Sequence, residues 1–308
     1  MLQYYAKKSF NEDPQLVKEV PADRAWVYGT NVETKEITQV CEQFDLDPGV
    51  LKDVRDKNEL PRAEYSRGVL YVFIRAPHQT SHGAIVTTPF LAVQKGTLLI
   101  TLSSKEYVQP LDLFAETKID MKSTKHVFLQ LTSYVINQYE TFIHGTGAYI
   151  QNTEHRLGTH EVDNKDFINF VSVEHDLNEY HTNLTALQAL LGRLRENKHD
   201  IFGDKDCEFI EDMILHVNQL LVATDSHKNT INSIRNAYTT ISNNILNQRM
   251  KKLTLLTLLV ALPNVFFGMF GMNVILPFAH EPWAYAAITG FSVILVLLVA
   301  LFVRRIRF

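Results

Sequence analysis

Neutral oxygen donors set inside an apolar run are the residues best suited to chemistry in this 308-residue chain. The run Leu253–Phe270 carries Thr254, Thr257 and Asn264. Just beyond it the stretch PNVFFGMFGMN closes on Gly271, Met272 and Asn273. Hydroxyl and carboxamide oxygens accept hydrogen bonds without carrying charge, so they can greet a polar or hydrated species and still let it go. A helix that merely filled hydrocarbon would need none of them, because a polar group without a partner there is costly.

These donors lie on one stripe. From Ser233 and Asn236 through Asn247, Met250, Thr254, Thr257, Ala261, Asn264 and Gly268 to Gly271, polar or small residues recur at alternating steps of three and four. That period keeps them on one helical face. Two positions away, Ile231, Ile234, Tyr238, Ile241 and Ile245 form an apolar seam of coiled-coil type. In water a polar stripe is what solvation requires, but within a bilayer Thr257 and Asn264 must face a partner helix or a water-filled path. Gly268-x-x-Gly271 is open to both readings, as a close helix contact or as part of a pore wall. An aqueous path needs several copies of the helix around one axis.

The elements that position the stripe follow from composition shifts. From Asp204, read as an N-cap, to Leu262 there is neither Gly nor Pro. A helix over that stretch spans on the order of 90 Å, too long for a compact domain, and reads as a stalk entering a membrane. Leu253–Phe270 and Trp283–Val303 are each long enough to cross most of a hydrocarbon core of roughly 30 Å. Arg249, Lys251 and Lys252 precede the first run and Arg304, Arg305 and Arg307 follow the second. The link between holds only Glu281. The positive-inside rule then puts both termini in the cytoplasm and the link outside, in a multi-pass cell-membrane protein of bacterial inner-membrane type. The start, MLQYYAKKSF, has no apolar core of a secretory signal, so the bulk of the chain is expected in the cytosol.

Residues 1–248 are acidic, with 24 basic and 33 acidic side chains. That balance argues against a nucleic-acid partner. Cys41 and Cys207 stand in unrelated surroundings and suggest no disulfide. Apolar, β-branched runs at Arg24–Tyr28, Val69–Ala76, Ile85–Val93 and Thr97–Leu102 predict strands, with Pro77–Gly83 as a turn-rich connection. Ile37, Val40, Cys41 and Phe44 recur at helical spacing, and Asp47-Pro48 predicts a helix start. Lys125–Leu157, with a break expected at Gly145-Thr146-Gly147, and Lys165–Lys198 predict two long helices. The expected fold is therefore an α/β cytosolic domain with a mixed sheet flanked by helices, then a long stalk helix and a two-helix transmembrane hairpin. Its parts are 1–200 (α/β domain with helical extension), 201–252 (stalk), 253–273 (first span), 274–282 (outer loop), 283–303 (second span) and 304–308 (basic tail).

Gly271-Met272-Asn273 at the end of the first span, a short loop with Glu281, a second span and the tail RRIRF resemble the CorA-type magnesium transporter family, whose signature is Gly-Met-Asn in that place. The stretches LPRAEYSRGVLYVFIR and TLLITLS are similar to that family's sheet, so the likeness covers essentially the whole chain. The resemblance implies a homopentameric funnel in which five first spans line a pore. It implies Gly271, Met272 and Asn273 at the outer entrance, Asn247, Met250 and Leu253 at the cytoplasmic neck with Met250 and Leu253 as its hydrophobic constriction, and Asn264 on the pore face above. The family signature has Tyr before it; here Phe270 stands there, without a hydroxyl. Family members close when magnesium bridges acids of the stalk and a neighbouring α/β domain. Asp212 matches a stalk position, but His78-Gln79-Thr80-Ser81-His82-Gly83, where its partner would lie, holds no carboxylate.

These residues suit a hard cation that releases water reluctantly. A ring of Asn273 carboxamides can accept hydrogen bonds from the hydration shell of Mg2+, the implied cargo. Gly271 is expected to allow a sharp backbone exit, and Glu281 to concentrate cations at the mouth. No phosphate-binding G-x-x-x-x-G-K-[ST] loop occurs. A divalent cation moving inward gains about 2 × 2.3 kcal/mol per 100 mV of inside-negative potential, so membrane potential can drive it. Gating by dewetting at Met250 and Leu253 and ordinary packing of those side chains both remain open. Pro263 can kink the first span. Glu174-His175-Asp176 with His181, and His155 with His160, lack the H-E-x-x-H spacing of a zinc site and read as surface residues. No nucleophile is set beside a base, so an enzyme is not expected. Two other readings are a zinc, cobalt or nickel transporter of the same architecture and a membrane-tethered coiled-coil scaffold or signalling protein.

Overall fold

The computed structural model describes residues 2–6, 15–17, 25–80, 85–105, 123–158, 164–272 and 281–305. Its contacts divide the chain into two compact units, Met1–Ile234 and Arg235–Phe308. The first begins with β1 (Leu2–Ala6), β2 (Gln15–Val17) and β3 (Ala25–Gly29), followed by α1 (Thr34–Phe44) and α2 (Pro48–Lys52). Strands β4 (Arg62–Ser66), β5 (Val69–Gln79), β6 (Ile85–Lys95) and β7 (Leu98–Ser103) come next, then α3 (Thr124–Gly158), α4 (Asn164–Arg195) and α5 (Asp204–Phe270). The strands form one sheet in the order β2-β1-β3-β7-β6-β5-β4. Only the β3–β7 pair is parallel.

Both faces of the sheet are covered, which explains the unbroken apolar runs in antiparallel strands. Along β5, Val69, Tyr71 and Phe73 pack with Ile37, Val40 and Leu51 of α1 and α2. Leu70, Val72 and Ile74 point the other way, into a core shared with α3, α4 and the first part of α5. Ile210, Met213, Val217, Leu220, Ile231 and Ile234 of α5 belong to that second core, so the helix is built into the α/β unit.

Local chemistry sets the boundaries. Arg67 and Gly68 both take positive φ, 51° and 78°, and join Ser66 to its partner Val69 in a two-residue hairpin, where glycine avoids the steric penalty. Asp47 caps α2 by accepting from the Gly49 amide at 2.8 Å. Pro77 and Pro89 lie inside strands, but where the ladder has one neighbour: β4 pairing stops at Phe73 and β7 pairing stops at Phe90. A missing amide hydrogen is tolerated at such edges.

Several expectations shift. β5 continues to Gln79, so Pro77 to Gln79 are strand rather than connection; residues 81–84 lie outside the described residues. No break occurs at Gly145 or Gly147, and α3 runs through both. Asp204 is the first helical residue of α5 rather than its cap, and Asp206 Oδ2 accepts from the Gly203 amide at 3.4 Å. Cys41 and Cys207 are free thiols.

One buried cation ties the sheet to the helices. Arg75, only 9% exposed, donates Nε to Thr87 Oγ1 at 2.8 Å and its terminal nitrogens to the carbonyls of Lys57 (2.7 Å), Glu59 (2.9 Å) and Thr87 (3.0 Å). Glu179 of α4 lies 3.9 Å away and also bonds Thr87, while Tyr139 of α3 donates to the Arg75 carbonyl at 2.9 Å. Removing the guanidinium strands three backbone acceptors and a partly buried carboxylate. Arg75→Leu is therefore expected to lower stability by about 3 kcal/mol, read as a fall in the thermal unfolding midpoint of the full chain in detergent. An unchanged midpoint would show that the network is not structural.

Candidate functional site

The second unit contains the rest of α5 and helix α6 (Ala284–Arg305). Among the described residues α5 alone is long and apolar enough to cross a membrane, with an 18-residue window of mean hydropathy 1.6; the apolar part of α6 is Tyr285–Leu301. Pro263 sits inside α5 without ending it. The proline removes one amide donor, a loss that membrane helices accommodate.

Two faces of α5 are used differently. Leu255, Leu259, Leu262 and Phe266 are half-buried, and Phe266 meets Phe291 of α6 edge-on with ring centroids 5.3 Å apart. On α6 the corresponding face is Ile288, Ser292, Leu295, Val296 and Val299, of which Ser292 is buried. Thr254, Thr257, Ala261, Asn264 and Gly268 are exposed. At 100° per residue their mean direction lies about 150° from the α6-facing set. The polar stripe is thus turned away from the hairpin partner of its own chain.

The threonine hydroxyls are oriented by the helix itself. Thr254 donates to the Met250 carbonyl and Thr257 to the Leu253 carbonyl, both at 2.9 Å. With its only hydrogen engaged, each oxygen offers outward lone pairs alone. Such groups can accept from water but cannot donate to an anion.

Below the stripe, Asn247 is exposed, Met250 is 54% exposed and Leu253 56%. At the other end Gly271 and Met272 follow the last helical turn, with amides bonded to the carbonyls of Phe267 at 3.0 Å and Met269 at 3.3 Å. Gly271 does not take a left-handed conformation. A Cβ there would stand 3.2 Å from the Phe267 oxygen, a tight approach that favours glycine. Asn273 and the following residues to His280 lie outside the described residues, and Glu281 is exposed.

Asp212 is exposed on the part of α5 that belongs to the first unit. Among the described residues no group of three His, Cys, Asp or Glu side chains is placed to hold a metal ion. Asp176, one of the residues weighed for zinc, has its carboxyl pushed above the usual range by burial, chiefly, which favours a proton over a cation. His181 instead pairs with Asp225 at 3.4 Å. His160 lies outside the described residues. The leucine and phenylalanine face toward α6 was not separable in sequence, because in an apolar run every face looks alike; the buried Ser292 is its one polar trace.

Comparison with known proteins agrees with this architecture over its whole length. The cobalt/magnesium transport protein CorA of Methanocaldococcus jannaschii is 21% identical over 287 residues, covering 91% of this chain and 90% of that protein. The complete structure of the CorA magnesium transporter from that organism superposes with a TM-score of 0.87 at 19% identity, covering 99% of this chain and 98% of the other. The full-length CmaX protein matches with a TM-score of 0.76 at 16% identity, covering 100% and 97%. A family model described as CorA-like Mg2+ transporter protein matches residues 22–305, and the chain belongs to that family of membrane divalent-cation transporters.

Proposed function

We propose that the chain is the subunit of a homopentameric Mg2+ channel driven by membrane potential, with both termini in the cytoplasm. In this reading residues 1–200 form the cytosolic domain, 201–252 the stalk, 253–273 the pore helix, 274–282 the outer loop, 283–303 the second span and 304–308 the tail. The observation that carries it is the direction of the stripe. Thr254, Thr257, Asn264 and Gly268 face away from α6, and a polar row turned from its own partner helix inside a membrane calls for an axis shared with other copies. Exposed Ile245 (39%), Leu246 (57%) and Met250 (54%) support the same conclusion, since such side chains on one helix need neighbours to cover them.

The roles follow from chemistry. Gly271, Met272 and Asn273 form the entrance, where neutral carboxamides meet the hydrated ion and Glu281 raises its local concentration. Thr254, Thr257 and Asn264 present acceptors to the ion's water along the wall. Met250 and Leu253 form the apolar constriction, and Asn247 the exit beneath it. Asp212 is assigned to sensing cytosolic Mg2+, which would then be regulator as well as cargo. The relative named as a cobalt/magnesium transporter brings Co2+ forward as a second cargo, because an entrance that reads a water shell discriminates weakly between ions with similar shells.

Two measurements test the reading. In cells lacking other Mg2+ uptake, wild type is expected to restore growth, while Asn273→Ala cuts uptake by about tenfold or more with expression and assembly retained; uptake unchanged in the variant would favour a scaffold. Zn2+ uptake insensitive to excess Mg2+ would instead favour the zinc reading. Fold loss of this size corresponds to about 1.4 kcal/mol of lost ion stabilisation. On a Cys41→Ser, Cys207→Ser background, Thr257→Cys and Asn264→Cys are expected to react with a membrane-impermeant thiol reagent, and Leu259→Cys and Leu262→Cys to resist it. The opposite pattern would place the stripe in dry contact and remove the pore.

A further inference from the structure

Gly147 stands near the middle of α3, where glycine costs about 1 kcal/mol relative to alanine. The structure explains its presence. A Cβ there would lie 2.7 Å from both Cε1 and Nε2 of His227, so the absent methyl is room taken by an imidazole of α5. His227 is half-buried against the α3 backbone.

Charged groups surround this notch from three helices. On α3, one turn before Gly147, His144 Nε2 lies 3.5 Å from Glu140 Oε1. The other oxygen of Glu140 lies 3.3 Å from His216 Nε2 on α5, so one carboxylate binds α3 to α5 below the notch. On α5 itself Asp225 is engaged by Lys228 at 4.0 Å and by His181 of α4 at 3.4 Å. The acid nearest His227 in sequence is therefore already committed, and across the notch stands another histidine.

We propose that His227, seated in the Gly147 notch, is a proton-sensitive latch between α3 and α5 that holds while neutral and releases when protonated. An imidazolium in that place would give up water without gaining a carboxylate and would face His144. Burial, first, and His144, second, both push the His227 imidazole below the ordinary histidine range. The sign follows: as pH falls through that range, a released His227 takes up a proton that the seated one resists, so seating loses stability toward acid. Acidification thus loosens the hold of α3 on α5 at the notch. The consequence for ion flux rests on the proposed pore reading, in which α5 continues into the channel wall; the latch itself does not.

The test is hydrogen–deuterium exchange of the full chain in lipid nanodiscs between about pH 8 and about pH 5.5, corrected for intrinsic exchange. Wild type is expected to lose protection several-fold in residues 143–150 and 223–231 on acidification. His227→Gln, which cannot take the proton, should keep its protection, and Gly147→Ala should be poorly protected at both pH values because the notch is filled. Equal acid-induced loss in wild type and His227→Gln overturns the proposal. Should Gly147→Ala fail to fold, the comparison of wild type with His227→Gln and His227→Phe decides it alone. Ion flux read on the same protein in proteoliposomes keeps the two readings apart: a wild type that carries no divalent cation ends the proposed function and leaves the exchange result standing.

Discussion

In the proposed channel a membrane helix must be dry on one side and wet on the other, and backbone alone cannot satisfy both requirements. In α5 the division is made by residue choice at fixed period: Leu255, Leu259, Leu262 and Phe266 toward α6, Thr254, Thr257, Asn264 and Gly268 away from it. The cost of the second set inside hydrocarbon is what makes it informative, since each polar group there must find a partner. Back-bonding of the two threonines to the helix's own carbonyls satisfies their hydrogens and leaves their oxygens facing out. The two threonines thereby present acceptors only, which suits water around a cation in the proposed channel.

The same helix is anchored elsewhere by ordinary packing. Its first thirty or so residues give Ile210, Met213, Val217, Leu220, Ile231 and Ile234 to the core beneath the sheet. Pairs such as His126 with Asp206 and Arg195 with Glu211 fix its start to α3 and α4. A helix so placed can respond to chemistry in the α/β unit, because altering one packed side chain alters contacts all along the core. The Arg75 network ties the sheet to α3 and α4.

Much of this was legible in the sequence, and for identifiable reasons. β3, β5, β6 and β7 are apolar runs with both faces buried, and they need no tertiary knowledge to be seen. β1 and β2 carry Gln as near-edge and edge strands and give no such run, and β4, with Arg and Glu, is marked only by its likeness to the family's sheet; the Arg67-Gly68 turn that makes it a hairpin is a weaker signal than Asn-Gly. Gly145-Thr146-Gly147 read as a break because glycine is judged by its own preference, whereas Gly147 answers to His227, eighty positions away. The stripe itself was visible, since helical period survives without coordinates, but its direction relative to α6 was not. That direction depends on which of several equally apolar faces Phe291 and Ser292 cover.

Weak binding and a strong driving force fit together in the proposed channel. A divalent ion held by ring carboxylates would have to break several charge-assisted bonds to move on, each stronger than its neutral counterpart. Carboxamide and hydroxyl oxygens hold the water shell instead of the ion, so the ion leaves at little cost and the shell need not be rebuilt. Passage is then downhill by about 4.6 kcal/mol per 100 mV for a charge of two, with no call on nucleotide. What such a path lacks is any means of stopping flow, because neutral acceptors neither bind tightly nor repel. Closure must come from somewhere that excludes water altogether, and Met250 and Leu253, apolar and exposed beside Asn247, are the residues whose side chains can do so when copies of the helix approach. Entrance and gate are therefore separate by chemical necessity: the oxygens that admit a hydrated ion are unable to refuse one.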